Sequence, residues 1–529
     1  RYDHTFIIRI LNTISDCPRV LVLFNSYEFL LMFLPMCLGG YYSISRLINQ
    51  RAAITWLALC SLFFYGWWNP AYLWLMISSI LVNYSFGLLL SGRHRSKILL
   101  ALSVSSNLAL LGYYKYTDFF ITNIDELAGL DWSLHNIILP LGISFFTFTQ
   151  IAYLVDVYRG EVREYRITDY FLFVTYFPHL IAGPIIHHKE MMPQFANNAA
   201  EQMTARNITA GLVLFTIGLA KKILIADRVM VYVTPVFTAA ENGASLTFFE
   251  AWGGILAYVI QLYFDFSGYV DMALGLSLLF GIRLPLNFNS PYKATSIIDF
   301  WQRWHMTLSR FLRDYLYIGL GGNRKGTFRR YLNLLLTMLL GGLWHGAGWT
   351  FIIWGAMHGV YLCINHAWRA FCKNRKNVLS ENFRTLLYGA ITFLAVTVSW
   401  VFFRADSTEG ALQILKGMAG FNGVALPIKY ASQWGSFSPW LVQQGVIFDD
   451  NLFKGGKQVG QIIWPLLIIW FLPNSQTLLR DYNVTVTPVT EQSRLAFRPN
   501  IITLSVCALV LIYCFAHLTQ LSEFLYFRF

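Results

Sequence analysis

Long apolar runs recur from one end of this chain to the other, and they constrain its fold more than any motif does. They lie near 28–48, 53–68, 71–91, 98–114, 136–155, 168–186, 208–226, 249–280, 331–343, 349–368, 384–403, 459–473 and 500–520. A helix needs about 20 mostly apolar residues to cross the roughly 30 Å hydrocarbon layer of a bilayer. Several runs are short, or are broken by Gly, Pro or Asp, which favours re-entrant or partly buried segments. The pattern predicts about 11 transmembrane spans. The spans are expected to be helices, because the runs far exceed the roughly 10-residue alternating strands of an outer-membrane barrel. Only 13% of the residues are charged, about half the usual share in a soluble domain. Most of the surface must therefore face something other than water. The fold class is all-α, a polytopic integral membrane protein.

Lys and Arg outnumber Asp and Glu, 40 to 28, for a net charge of +12. The cations cluster between the runs, in "SGRHRSK" (91–97), "YRGEVREYR" (158–166), "GNRKGTFRR" (322–330) and "WRAFCKNRK" (368–376). Cytoplasmic loops that meet anionic lipid have this character. Part of the charge could also attract an anionic cofactor to the cytoplasmic face. Nucleic acid is not an expected partner, because no basic stretch belongs to a soluble module with interleaved aromatics. The cysteines, at 17, 37, 60, 363, 372, 507 and 514, show no paired spacing. Most sit in apolar runs, where cysteine acts as a small hydrophobe, and nothing suggests a disulfide framework or zinc knuckle.

Residues 1–22 are mixed in character and show no small-residue cleavage site, so no signal peptide is read there. No fixed-period repeat appears. This weakens a proton-coupled transporter, for which intramembrane Asp and His would suit but inverted repeats are expected. The stretch 281–330 is too charged to span lipid and too aromatic for an ordinary loop. Within it, 297–318 has helical periodicity, with Ile297, Trp301, Trp304, Leu308, Phe311, Leu312 and Tyr315 on one broad face. Asp299/Arg303 and Arg310/Asp314 form i,i+4 pairs on the other face. Such a helix lies along the interface or dips into a protein-lined cavity. Residues 405–458 form a second hydrophilic excursion, expected on the face opposite the catalytic entry.

Ionisable groups at membrane depth are costly and mark sites or pathways. That filter selects Asp156, His179, Asp265, Asp271, His305, His345 and His358. His345 and His358 occupy "LGGLWHGAGWTFIIWGAMHG" (340–359). On one continuous helix they would stand roughly 20 Å apart along the axis and point away from each other. They cannot share a metal from such a helix, and no carboxylate companion accompanies them. No metal site is expected. Gly341, Gly342, Gly346, Ala347 and Gly348 surround His345 with small residues, which let backbones or a ligand approach closely, and Trp344 and Trp349 would wall the space. Burial favours neutral imidazole, which can accept a proton from an attacking hydroxyl. The competing reading is a packing histidine bonded to a carbonyl, and for His358 packing is the preferred reading. His305 shares its face with Trp301, Trp304 and Leu308. Asp265 and Asp271 suit capping, or pairing with Arg283 or another Arg. Ser267-Gly268 lacks the G-x-S-x-G elbow, which disfavours a hydrolase serine. The adjacent His187 and His188 project to different sides, so a shared role for them is not expected.

Three stretches together resemble the membrane-bound O-acyltransferase family: "YFDFSGYVDMALGLSLLFGIRLPLNFNSPY", "FWQRWHMTLSRFLRDYLYIGLGGN" and "GGLWHGAGWTFIIWGAMHG". They look most like its bacterial polysaccharide branch, typified by the membrane subunit of alginate O-acetylation. Further matches run from "FNSYEFLLMFLP", through "LPLGISFFTFTQIAYLVDVYRG" and "FPHLIAGPI", to the closing "FLYFRF". The resemblance covers 24–529, with a catalytic core near 136–368, and leaves 1–23 as an N-terminal extension. It implies helices around a central tunnel open to both membrane faces. The family's hallmark histidine falls on His345 and its second position on His305, with Trp301, Trp304, Trp344, Asp265, Ser309 and Asn323 as tunnel-lining or substrate-contacting residues. Gly319 departs from the proline usual in the branch. The implied chemistry moves an acetyl group from a cytoplasmic thioester, acetyl-CoA, towards an extracytoplasmic polysaccharide. Transfer is direct or passes through a periplasmic partner of the SGNH type. No bound cofactor is implied, and the location is the bacterial inner membrane.

Overall fold

The computed structural model describes residues 24–91, 95–129, 132, 137–162, 166–197, 199–373, 380–491, 493–518 and 525. The extension 1–23 with Cys17, most of "FLYFRF" and parts of three basic clusters lie outside the described residues. The chain opens with helices Leu34–Leu47 (α1), Gln50–Trp68 (α2), Ala71–Ser91 (α3) and Lys97–Ala128 (α4). Ile143–Arg159 (α5), Ile167–Thr175 (α6) and His188–Phe195 (α7) follow. Then come Ala205–Glu241 (α8), which contains a π-helical turn, and Phe248–Leu279 (α9). Ile297–Arg303 (α10) and Met306–Phe311 (α11) lead to Gly326–His345 (α12), Trp349–Cys372 (α13) and Glu381–Arg404 (α14). Thr408–Met418 (α15), Gly456–Phe471 (α16) and Ile501–Ala516 (α17) follow, with shorter helical turns between the elements named here.

Among the described residues, α3, α4, α8 and α14 are long and apolar enough to cross a membrane by length and composition alone. The helical membrane architecture holds, while the expected tally of about 11 spans goes beyond these four. Mean hydropathy understates the central helices because they carry polar groups that the protein, rather than lipid, satisfies. Helix α9 is the clearest case: it is 32 residues long and buried over nearly its whole length. Its N-terminus is closed by a Thr247/Glu250 capping box.

The carboxylates that interrupt the apolar run of α9 do not break the helix. Lys222 Nζ lies 2.7 Å from Asp265, and Lys221 Nζ lies 2.6 Å from Asp271. Ser475 and Gln476 donate to Asp271 as well. The partners are therefore lysines of the α8 π-turn, not the arginines expected from sequence. Glycines set the α8/α9 crossing: a Cβ on Gly218 would stand 2.5 Å from Gly268 O, and one on Gly211 2.8 Å from Gly275 O. Close backbone approach through small residues is the usual means of joining helices in a bilayer.

Described parts of the basic connections 91–97 and 158–166 meet at one end of the helix set. The Arg95 guanidinium packs against Gly160, and Arg159 Nη2 donates to Asp314 O at 3.3 Å. Helices α12 and α13 form a hairpin, so 322–330 and the end of α13 meet at a common end. At the other end, beyond α14, the excursion 405–458 folds as α15, short helical turns and a parallel pair of strands, Val424–Pro427 (β1) with Val446–Asp449 (β2). It rests on the start of α9, where Trp252 Nε1 donates to Met418 O and Leu452 N donates to Glu250. The described cysteines are all free thiols.

Candidate active site

The stretch 297–318 is not one helix. Helix α10 stops at Arg303, and His305 takes the left-handed conformation (φ 44°, ψ 52°) before α11 begins. A non-glycine residue there is costly and persists only when its surroundings hold it. Asn287 supplies the hold: its carbonyl accepts from Met306 N at 2.9 Å. Its side-chain Oδ1 accepts from Thr307 N at 3.2 Å and Thr307 Oγ1 at 2.8 Å, and His305 Nδ1 lies 3.2 Å away. The kink turns His305 into the protein, where it is fully buried.

This contact also fixes the tautomer. The Thr307 N–H must face an oxygen, so Asn287 presents Oδ1 and His305 Nδ1 is the donor. In the neutral ring the lone pair then sits on Nε2. The helix break also rearranges the expected ion pairs. Asp299/Arg303 forms at 2.7 Å, but Arg310 instead grips Glu190 of α7 with both terminal nitrogens, at 2.5 and 2.9 Å.

His345 is the last residue of α12. Gly346 and Gly348 are extended, and the chain reverses there into α13. His345 and His358 therefore do not share a continuous helix. Trp354 stands beside both, with ring centroids 5.1 Å from His345 and 4.9 Å from His358. The glycines of this turn serve the hairpin. A Cβ on Gly342 would lie 2.3 Å from Phe351 O, and one on Gly355 2.4 Å from Met338 O.

The two histidines selected for chemistry meet. The ring centroids of His305 and His345 are 6.4 Å apart, and Trp344 borders both, at 6.2 and 4.9 Å. Phe403 closes the far side of His345 at 5.2 Å, and Phe266 packs edge-on to His305 at 5.0 Å. The buried indole nitrogens of Trp344 and Trp354 and the Asn287 amide nitrogen have no hydrogen-bond acceptor among the described residues. The site thus joins two imidazoles with unused N–H donors inside an aromatic wall. A cavity of about 570 Å³ opens beside it, on the side of the basic connections, lined by Trp301, Thr307, Ser309, Thr337, Met338 and His366 among others.

The other expected site residues divide. Trp304 is buried against Trp400 at 5.0 Å, and Trp301 and Ser309 line the cavity. Asp265 is taken up by Lys222 and by Leu525 N, which donates to it at 2.9 Å. Asn323 is exposed in the turn before α12, roughly 30 Å from His345 along that helix at 1.5 Å per residue. Trp349 does not wall the site: it is exposed, and its Nε1 donates to Asn123. His358 has both nitrogens engaged, accepting from Trp301 Nε1 at 3.2 Å and donating to Ser399 Oγ at 2.9 Å. His187 and His188 converge on one carboxylate, 3.9 and 3.3 Å from Asp156 Oδ2. The start of α7 bends the chain between the pair, so the two adjacent side chains share a side.

Sequence reasoning missed Asn287, Trp354 and Lys115. A lysine inside "LLGYYKYTDFF" was the available signal, since an intramembrane cation marks a site as surely as an aspartate does. Lys115 Nζ donates to Trp344 O at 2.6 Å and to His345 O at 3.1 Å.

The chain matches the sequence model of MBOAT, the membrane-bound O-acyltransferase family, over residues 64–404. It belongs to the membrane-bound O-acyltransferase family. The matched span carries both histidines, and the chain is an acyltransferase. A peptidoglycan O-acetyltransferase of Helicobacter pylori is 41% identical over 98% of this chain and 100% of its own length. A probable alginate O-acetylase of Pseudomonas putida is 44% identical over 76% of this chain and 81% of its own. More distant is a teichoic acid D-alanyltransferase of Streptococcus thermophilus, 28% identical over 50% of this chain and 68% of its own.

Proposed function

We propose that this membrane acyltransferase moves an acetyl group from a thioester, acetyl-CoA, to a hydroxyl of an extracytoplasmic polysaccharide. The single observation that carries the reading is the buried contact between His305 and His345 beside unused indole N–H donors. The attacking hydroxyl oxygen forms a bond to the thioester carbonyl carbon while His345 takes the hydroxyl proton. The C–S bond then breaks, and the leaving thiolate takes up a proton. His305, with Nδ1 on Asn287, borders the reacting groups and orients the substrate beside His345. The Trp344 and Trp354 indoles are the natural donors to the developing oxyanion.

The donor reaches the pair from the basic end, through the cavity lined by Trp301, Thr307 and Ser309. Positive loops on the cytoplasmic side support that entry and an inner-membrane location. Peptidoglycan is the acceptor we favour, because the Helicobacter pylori relative aligns over its full length, whereas the alginate relative covers 76% of the chain. A periplasmic SGNH-type protein would carry the acetyl group onward if the glycan does not enter the site itself.

The test uses purified full-length protein in detergent with radiolabelled acetyl-CoA, and offers peptidoglycan fragments and alginate oligomers in parallel. Label should pass to peptidoglycan, alone or once an SGNH-type partner is added, and His345→Ala should abolish the transfer. Wild-type transfer by His345→Ala would overturn the role of His345, and preferential labelling of alginate would overturn the choice of acceptor.

A further inference from the structure

Helix α12 ends inside the protein, at its reactive residue. The last carbonyls of any helix lack intrahelical partners, and water is scarce at membrane depth to serve them. Here two consecutive residues of α4 take three consecutive carbonyls. Tyr116 Oη donates to Leu343 O at 2.8 Å, and Lys115 Nζ donates to Trp344 O and His345 O at 2.6 and 3.1 Å. Lys115 also reaches Ser144 Oγ on the first turn of α5 at 3.4 Å, and its ammonium lies 5.9 Å from the Trp344 ring centroid. A cation at a helix C-terminus complements the macrodipole. One amine thus ties three helices together at the backbone of His345.

We infer that Lys115 is a positioning residue for acyl transfer: it clamps the end of α12 so that the His345 ring faces His305 and the substrates. The inference rests on the reading of His345 as the base. The geometry makes the clamp specific to this histidine. Beyond His345 the chain runs extended through Gly346, so the next turn of helix is not there to hold the ring. Two of the bonds that fix its backbone come from Lys115. An ammonium reaching 2.6 Å to a carbonyl in a buried site is a charge-assisted bond, roughly twice as strong as a neutral one. Losing it lets the helix end relax by a fraction of a turn, enough to take the ring out of line.

The test compares Lys115→Met and Lys115→Arg with wild type, as full-length protein in detergent with radiolabelled acetyl-CoA. Lys115→Met should keep the wild-type elution profile and an unchanged KM for the donor, with a melting midpoint lowered only modestly by the carbonyls it leaves unserved. Its kcat should fall about ten- to hundredfold, the cost of misplacing a reacting group by about 1 Å. Lys115→Arg, which keeps the cation, should recover most of that loss. A folded Lys115→Met with wild-type kcat overturns the inference. So does a loss that appears equally in kcat and melting midpoint and that Lys115→Arg does not reverse. If Lys115→Met cannot be purified, Lys115→Leu decides by the same criteria, since it too has no N–H to give the carbonyls. His345→Ala, run alongside, separates the two ideas. If it is inactive while Lys115→Met is fully active, only the clamp is lost; if it is fully active, the base assignment falls first.

Discussion

His305 and His345 lie with ring centroids 6.4 Å apart although forty positions separate them in the chain. Their planes are inclined at 60°, so the two rings meet edge to face rather than stacked. The aromatic wall closes the remaining directions, with Trp354 and Phe403 behind His345 and Phe266 beside His305.

The left-handed backbone at His305 makes substitutions there unequal. Asn tolerates that region and β-branched residues do not. His305→Asn should fold normally and transfer acetyl groups slowly. His305→Val should lose about 1–3 kcal/mol of stability from backbone strain as well. Melting midpoints and initial rates of the two variants, measured side by side, check this. Equal melting midpoints would remove the strain argument.

The hairpin between α12 and α13 depends on Gly342 and Gly355, where an added Cβ would overlap Phe351 O and Met338 O. Gly342→Ala should cost about 1–3 kcal/mol, as overpacking does, and should slow transfer by displacing His345. Gly348→Ala, whose Cβ would meet its nearest neighbour at 3.6 Å, should be mild. Thermal unfolding of the three proteins distinguishes them.

Asp265 is expected to act on stability rather than on transfer. Asp265→Leu takes one carboxylate from the buried Lys222 and leaves it paired with Asp227, at 3.0 Å, and should destabilise by about 3–5 kcal/mol. Replacing both partners, as Lys222→Met with Asp265→Leu, should recover most of that and leave kcat near wild type. A double variant that is stable but inactive would return Asp265 to the site.

His358 holds a donor and an acceptor in place, Trp301 and Ser399. His358→Phe fills the space but leaves the Trp301 N–H without its acceptor, at about 1–3 kcal/mol. Transfer per folded molecule should persist. Activity normalised to the folded fraction from size-exclusion chromatography is the measurement, and a complete loss in folded protein would place His358 in the chemistry.

Much of the fold was legible because the bilayer imposes a simple rule. Apolar length reads as helix, and cations between runs read as one membrane face. The structure accordingly packs Arg95 against Gly160 and brings Arg159 to Asp314 O. Where reading failed, polar residues were involved. Asp265 and Asp271 look like breaks in an apolar run, yet α9 passes through them unbroken because α8 supplies a lysine to each. Asn323 sits near the catalytic stretch in sequence but is exposed at the far end of α12. Lys115 was overlooked because its targets are backbone carbonyls more than 200 positions away, and no side-chain pattern records a carbonyl.

Hydropathy and residue chemistry are local properties, so the order of residues alone is enough to make the chain helical, membrane-embedded and equipped with histidines in apolar surroundings. Tertiary structure alone decided which histidines meet. The kink at His305, the reversal after His345 and the lysine of α4 are set by contacts between distant segments. A hydrogen bond or a close glycine crossing forms only when two segments pack, and neither segment encodes its partner.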